Sequence, residues 1–514
     1  MQQFLSPEPK VHLEKAFTTP FKNVIATART CYSSKGIIQD SDVDLERFTP
    51  LAKSIFEAGH HTTFQHAQFQ FRLENISRQF IWSFLHSHQF YNSEQVSQRY
   101  VEVKPGNYAV PPLEGEAKSL YVNTSEKLFE RYRKLINMLH DPVAVEYFGV
   151  FPARTRFAEK YQNPIKKKAM EIARYVLPVS MFAYMYHTIS GISLLRYYRL
   201  ANQMDTPLEQ RIVLQKMVDA MLAHDPGYEA VLQQPLDAEA YPEFDALSGN
   251  GVPPKTAEFL SEFDASLDGY TSKLIDYKVN AEAVLADAVR EVLAKTKAEL
   301  PDGEAIEMVL DPGKNKLLGE SMVLTTHAKV SRAMHHVHYT FRRKISHTAD
   351  SQDQRHRMVP GSRPVLSAHM TDEPDYITPI LVKARPEIEE YYHESMEIAW
   401  DAFAKLRSLG VSSEHAMYVL PNALSVRFTE SSDLLHLHHK HAMRLCYNAQ
   451  EEIWQSSLDE ARQIRQVHPQ IGKYLLPPCT IRDYAGLRPV CPEGKRYCGV
   501  KVWKIDLDEY ERVI

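Results

Sequence analysis

Two arginine-bearing stretches and a group of late thiols carry the chemistry available to this 514-residue chain. The first stretch runs Ser87-His88-Gln89-Phe90-Tyr91-Asn92-Ser93-Glu94-Gln95-Val96-Ser97-Gln98-Arg99-Tyr100. It closes on a hydroxyl two residues before a guanidinium, Ser97 and Arg99. An arginine fork matches phosphate and carbonyl oxygens two at a time. A serine hydroxyl with neighbouring backbone N–H groups completes a cradle for the same oxygens. Arg174, in Ala173-Arg174-Tyr175-Val176-Leu177-Pro178, is of the same kind, as are Arg342, Arg343 and Arg444. No His–Asp pair is recognisable beside Ser97 to activate its hydroxyl, so a covalent serine nucleophile is not expected.

Four of the five cysteines lie late: Cys446, Cys479, Cys491 and Cys498. Four thiolates can hold a tetrahedral zinc, which would pin a tail without a core of its own. The spacing contains no Cys-x-x-Cys, and buried thiols without a metal are the other reading. His335-His336-x-His338 and His436-x-His438-His439-x-His441 are dense in imidazole. At helical spacing these do not share one face, and no carboxylate accompanies them as in HExxH, so they are not expected to hold a metal.

The elements that must position these groups occur twice. Ile76-Ser77-Arg78-Gln79-Phe80 echoes Val330-Ser331-Arg332-Ala333-Met334, and Gln98-Arg99-Tyr100 echoes Gln354-Arg355-His356. Tyr175-Val176-Leu177-Pro178 echoes Tyr418-Val419-Leu420-Pro421, and Ser193-Leu194-Leu195 echoes Asp433-Leu434-Leu435. Four echoes in one order indicate a tandem duplication. The periodicity predicts helices over 41–58, 117–139, 166–175, 207–223, 386–408 and 429–465, and a buried helix over 178–200. Alternation predicts a strand at 67–73, and the second copy is expected to offer one near 320–330. A Pro- and Gly-rich linker is expected from about 234 to 255, through Pro235, Pro242, Gly249, Gly251, Pro253 and Pro254. Residues 256–300 read as two charged helical stretches, either an insertion or a degenerate start of the second copy.

Length suits two domains, and 44% hydrophobic residues with a net charge of −5 suit an ordinary globular protein. Nothing in that charge calls for a nucleic-acid polymer as partner. No apolar run approaches 18 residues, so no membrane span is expected. The first residues lack the pattern of a secretory signal. So few cysteines argue against a disulfide framework and for a reducing, cytoplasmic setting.

The first stretch, preceded by Gly59-His60-His61-Thr62-Thr63-Phe64-Gln65-His66 and followed by Ala173–Pro178, resembles the flavin-dependent thymidylate synthase family. That family's signature reads Arg-His-Arg, seven residues, then Ser, with Arg-Tyr shortly after. Both arginines of the triplet are replaced here, by Ser87 and Gln89. The resemblance implies an α+β fold of two fused family domains, helix-rich with a mixed or antiparallel sheet in each. The expected division is 1–235, a linker and helical insertion over 236–300, and 301–514. The resemblance implies methylation of dUMP at C5, with FAD as cofactor and methylenetetrahydrofolate and NADPH as co-substrates. A related reaction on another pyrimidine nucleotide and an inactive nucleotide-binding paralogue are the rivals.

The resemblance also implies roles. Ser97, Gln98, Arg99 and Arg174 fall on substrate-binding positions, with Arg343 and Arg444 from the second copy. Ser97 and Arg444 fall on positions close to the chemistry. Thr62, Gln65, His88, Gln95 and Arg342 fall on the flavin side. Gln203 stands where the first copy should carry the later arginine. The two copies keep complementary sets, so one composite site per fused pair is expected, in a homodimer that mimics the family's tetramer. Arg355-His356-Arg357 spells the triplet literally, but Val365 rather than Ser follows at the signature distance. It is read as a coincidence in a basic loop.

Overall fold

The computed structural model describes residues 3–88, 90–247, 255–512 and 514. Gln89 and the linker residues Gly249, Gly251, Pro253 and Pro254 lie outside them. Two units divide the chain. Each is built on a four-stranded antiparallel sheet, and the two sheets share one strand order.

Unit 1 comprises residues 1–132, 176–254 and 397–421. Its strands are β1 (Lys10–Ala16), β2 (Gln68–Ser77), β3 (Asn92–Gln95) and β4 (Phe182–Ser190), in the order β1-β2-β4-β3. β2 buries Phe69, Phe71 and Leu73 at alternate positions, as a pleated strand with one covered face must. Ser77 ends β2 and caps α1 (Arg78–His86), its Oγ accepting from the Phe80 N–H at 2.9 Å. Ser190 ends β4 and caps α2 (Gly191–Arg199). α3 (Pro207–His224) lies beyond. Its buried Glu209 accepts from the Ser77 hydroxyl at 2.6 Å and from the Tyr418 hydroxyl at 2.5 Å.

Unit 2 comprises residues 133–175, 255–396 and 422–514. Its strands are β5 (Ser272–Tyr277), β6 (His338–Ser346), β7 (Gly361–Ser362) and β8 (Ser425–Asp433), in the order β5-β6-β8-β7. Ser346 caps α4 (His347–Asp353), and Asp433 caps α5 (Leu434–Arg444). α6 (Glu451–Val467) follows. Its Glu452 accepts from the Ser346 hydroxyl and from the Tyr175 hydroxyl, each at 2.7 Å. Each sheet thus ends on a capping serine held by a buried glutamate, and each glutamate takes a tyrosine from the opposite half of the sequence.

Several expectations change. The segment 178–200 is not one buried helix but β4 followed by α2. Its burial alternates through the strand, and a short apolar run does not separate the two states by itself. Residues 429–465 likewise divide into the end of β8, α5 and α6. The strand expected near 320–330 lies at β6, while 324–327 and 331–336 form short 3-10 turns. Residues 256–300 contain β5, the edge strand of the second sheet, so they begin the second copy and are not an insertion. The boundary at 300/301 therefore falls too late. Nor are the units two consecutive blocks, since each takes a segment from the other half of the chain. The antiparallel sheets and the helix Pro386–Ser408 are as expected. No helix among the described residues is long and apolar enough to cross a membrane.

Candidate functional site

The capping serines fix which residues are equivalent. Counted from Ser77 and Ser346, Arg355-His356-Arg357 falls where Ser87-His88-Gln89 falls, to within one residue. The next strand agrees, since Ser93 faces His187 as Gly361 faces Glu430. The literal triplet is therefore the second copy's own triplet. The pairing of Gln354-Arg355-His356 with Gln98-Arg99-Tyr100 is wrong in register, as is that of Ser77 with Ser331. Counting from the cap serine along strand and helix would have found the triplet. Asp433 matches Ser190 by the same logic, not Ser193, and the position of Arg444 is Ala201 in unit 1, not Gln203.

Arg342 and Arg343 consequently sit in the middle of β6 and not at the head of a triplet. Arg342 donates to Ser266 Oγ at 2.8 Å and lies over the Phe263 ring. Arg343 is fully buried, donating to Asp353 Oδ2 at 2.6 Å and Glu430 Oε1 at 3.0 Å, with Glu460 at 3.5 Å. Lys440 pairs with Glu430 and lies 3.5 Å from Asp353. His441 Nε2 is 2.9 Å from Glu460. Burial alone would raise the Asp353 carboxyl, but Lys440, Arg343 and Arg444 outweigh it and hold it well below its usual range. Glu460 is likewise held at about 2 against its burial, by Lys440, Arg343 and His441. Arg343 is thus engaged inside the fold, not offered to a nucleotide.

The triplet follows α4. Arg355 is exposed, and His356 and Arg357 are half-buried. Arg444 donates to the Gln352 carbonyl at 3.1 Å and stands 3.5 Å from Asp353. The His356 ring is 5.8 Å from that of His439. Burial first, then the positive charge of Arg444, pushes the His356 imidazolium well down, with Asp353 opposing and Lys440 and His439 adding to the fall. Arg174 is buried in the same unit, its carbonyl accepting from Asn422 Nδ2 at 3.1 Å. Unit 2 therefore holds Arg174, Arg444 and the whole triplet. Ser97 and Arg99 belong to unit 1.

In unit 1, Thr62 and Gln65 are exposed on the turn His61–Gln65. Gln95 Oε1 accepts from Arg78 at 2.6 Å. Ser97 Oγ accepts from the Arg99 N–H at 3.3 Å, and the Arg99 guanidinium lies over the Tyr100 ring. Gln98 is buried, its Nε2 3.0 Å from Met181 Sδ and its Oε1 without a hydrogen-bond partner. His88 accepts from the Phe90 N–H at 2.8 Å and packs on Tyr197, ring centroids 4.6 Å apart. Burial, then Arg196, pushes its imidazole down to about 4. Beneath it His187 is fully buried among Phe84, Tyr91 and Tyr197, and burial followed by His88 takes it to about 3.

Cys446, Cys479, Cys491 and Cys498 line a single pocket in unit 2. Burial pushes the Cys446 thiol up to about 11 and that of Cys479 up to about 12. The histidine-rich segments supply one tighter group: His335 Nδ1 and His436 Nδ1 lie 3.2 and 2.8 Å from Asp433 Oδ2. Among the described residues this is the one set of three ligand atoms within 4.8 Å of one another, which counting along a helix did not foresee.

Residues 12–227 and 273–470 match the family described as thymidylate synthase complementing protein. The chain belongs to this family. With it, the chain is an enzyme of the flavin-dependent methyltransferase type. A flavin-dependent thymidylate synthase of Clostridium tetani is 26% identical over 194 residues, 37% of this chain and 73% of the relative. One from Sulfurisphaera tokodaii is 31% identical over 158 residues, 29% of this chain and 59% of the relative. A UPF0159 protein of Thermoplasma acidophilum is 23% identical over 398 residues, spanning 70% of this chain and 73% of its own length. Among solved structures, a UMP/dUMP methylase of Streptomyces cacaoi bound with 5-Br dUMP is 20% identical, with a TM-score of 0.32, covering 43% of this chain and 94% of that one.

Proposed function

We propose that the chain methylates dUMP at C5 in an FAD-dependent reaction, with methylenetetrahydrofolate as carbon donor and a reduced nicotinamide as reductant, and that the arginines of unit 2 carry its anion binding. The observation behind this reading is the intact Arg355-His356-Arg357 triplet in the same unit as Arg174 and Arg444. The donor set suits a phosphate or pyrophosphate. Burial first and then Arg444 depress the His356 imidazolium, with Asp353 opposing, so Arg444 acts on that ring as a positive charge and can offer an anion there a charge-assisted contact. Bound FAD supplies hydride chemistry that no side chain provides. The chain's own residues hold and orient. Arg355 and Arg357 present two forks, and Arg444 is braced by the Gln352 carbonyl and Asp353. Neutral His356 can donate or accept a hydrogen bond without adding charge. In unit 1 the aromatic setting of His88 and the lost arginine at Ser87 provide less for an anion.

The test counts flavin released per polypeptide and repeats the count in variants. At most one equivalent is expected. Arg357→Ala should lose most of it, and His88→Ala should keep it. Two equivalents, or a loss confined to His88→Ala, would move the flavin to unit 1. No flavin, with dUMP still bound, would favour an inactive nucleotide-binding paralogue. Assays with UMP beside dUMP decide the pyrimidine.

A further inference from the structure

We propose that Cys446, Cys479, Cys491 and Cys498 bind one zinc ion, a structural site that ties the C-terminal tail to the end of α5. Four of the chain's five cysteines meet in this one pocket, while Cys31 lies exposed in unit 1. They come from three separate stretches of unit 2. Cys446 stands two residues beyond α5, and Cys479 lies in the short helix Pro478–Tyr484. Cys491 and Cys498 flank the turn Gly494–Arg496. Three chain segments rarely bring every available thiol together for packing alone, because one thiol packs no better than another small apolar side chain.

The chemistry fits zinc. Four thiolates form a closed tetrahedral set with no open position, as a structural site requires. Each S–H gives its proton to solvent as a zinc–sulfur bond forms, and nothing is oxidised or reduced. The space between the thiols is about 10 Å³, room for one water-sized sphere. Its walls are mostly apolar, through Pro477, Pro478, Pro492 and Val500, with Asn448 and Glu493 as the polar exceptions, and Glu493 is the one carboxylate there to compete with sulfur. Zinc–sulfur bonds of about 2.3 Å would place the sulfurs roughly 3.8 Å apart. The thiols do not yet stand that close, since only His335, Asp433 and His436 meet the 4.8 Å spacing among the described residues. The proposed site therefore requires the sulfurs to draw closer as the metal binds. The histidine–aspartate trio is the weaker candidate, because it brings together three ligand atoms where a closed structural site takes four.

The tail needs such a tie. Among the described residues beyond Pro477 its regular structure is one seven-residue helix and three short 3-10 turns. Yet it delivers Val502, Leu507 and Tyr510 to the unit 2 core. A zinc ion would join that tail to the segment two residues past Arg444.

Zinc content of the protein purified under reducing conditions, read by elemental analysis, tests the idea. One equivalent per chain is expected, with near-total loss in Cys479→Ser and Cys491→Ser and none in Cys31→Ser. Should the serine variants fail to fold, cobalt replacement in the unaltered chain decides the point. Tetrahedral thiolate ligation gives a sulfur-to-cobalt charge-transfer band that histidine and carboxylate ligands do not. Absence of bound metal with no such band overturns the proposal. So does zinc that survives in the cysteine variants but leaves with His436→Ala, or a disulfide among the four sulfurs. None of these readouts uses activity, so the outcome is independent of the reaction proposed above.

Discussion

Glu430 and His187 hold the same place in the two sheets, each opposite a phenylalanine of the central strand, Phe341 and Phe71. Around them the layer has been exchanged wholesale. Phe84, Tyr197 and Leu73 in unit 1 correspond to Asp353, Lys440 and Arg343 in unit 2 by position from the caps and by strand register, and Met217 corresponds to Glu460 counted from the serine-bound Glu209 and Glu452. One backbone layout thus encloses an aromatic layer in one unit and an ionic one in the other.

Removing a single member of the ionic layer leaves a buried charge without its partner. Lys440→Met should cost unit 2 about 3–5 kcal/mol in urea unfolding. Replacing Arg343, Asp353, Glu430, Lys440 and Glu460 together with the unit 1 residues should cost far less, or stabilise, because no charge is then stranded. Equal costs for the single and the multiple variant would count against this account.

Two sets of buried carboxyls, the ionic layer of unit 2 and Glu414 of unit 1, should respond oppositely to acid. In unit 2 the Asp353 and Glu460 carboxyls are depressed, Glu460 to about 2. Their contribution is complete above the unfolded value near 4 and is lost as pH falls toward 2. In unit 1 Glu414, whose Oε1 accepts from the Leu208 N–H at 2.8 Å, is raised by burial to about 7. A raised carboxyl favours the fold at low pH, so that part of the stability falls as pH climbs from about 4.5 through 7. Glu414→Gln keeps the acceptor and should flatten this slope. Urea midpoints at pH 5 and 7.5 measure it, and an unchanged slope would remove Glu414 as its cause.

Arg444 should report on both binding and electrostatics. Arg444→Ala removes a charge-assisted contact of about 1.5–3 kcal/mol, weakening dUMP by roughly 10- to 150-fold. It also removes the positive charge that adds to burial in depressing His356, so the imidazole titration should move upward, readable by NMR of the free protein. Arg174→Ala should weaken dUMP similarly, with a less than additive double variant if both grip one ligand. Weaker binding with an unmoved His356 would place Arg444 elsewhere.

Ser97→Ala should slow turnover without abolishing it. The Ser97 hydroxyl accepts from the Arg99 N–H, and among the described residues no base is hydrogen-bonded to it. An unactivated serine is a weak nucleophile. A trapped Ser97–nucleotide adduct in mass spectrometry would refute this assignment.

How far the sequence reaches is clearest at β6. The helix Pro386–Ser408 was legible because its apolar stripe repeats at helical spacing. β6 was not, because Arg343 occupies an inward position and breaks the alternation that Tyr339, Phe341 and Ile345 would otherwise display. Missing that strand displaced the register, and with it the identity of Arg355-His356-Arg357. The duplication itself was legible in the Tyr175 and Tyr418 segments, where the sequence motif and the short 3-10 turn coincide. The exchange of those segments between units was not, since local pattern carries no record of which half a loop packs against.

That exchange sets an order of assembly. Unit 1 is complete only with residues 397–421, and Glu209 has its tyrosine only when Tyr418 has been made. A growing chain therefore cannot close its first unit when the first half leaves the ribosome, unlike ordinary domains that fold as they emerge. The nascent protein must wait for most of its length with that glutamate held by Ser77 but lacking its tyrosine. Splitting the gene between the copies would strand both products in the same unfinished state.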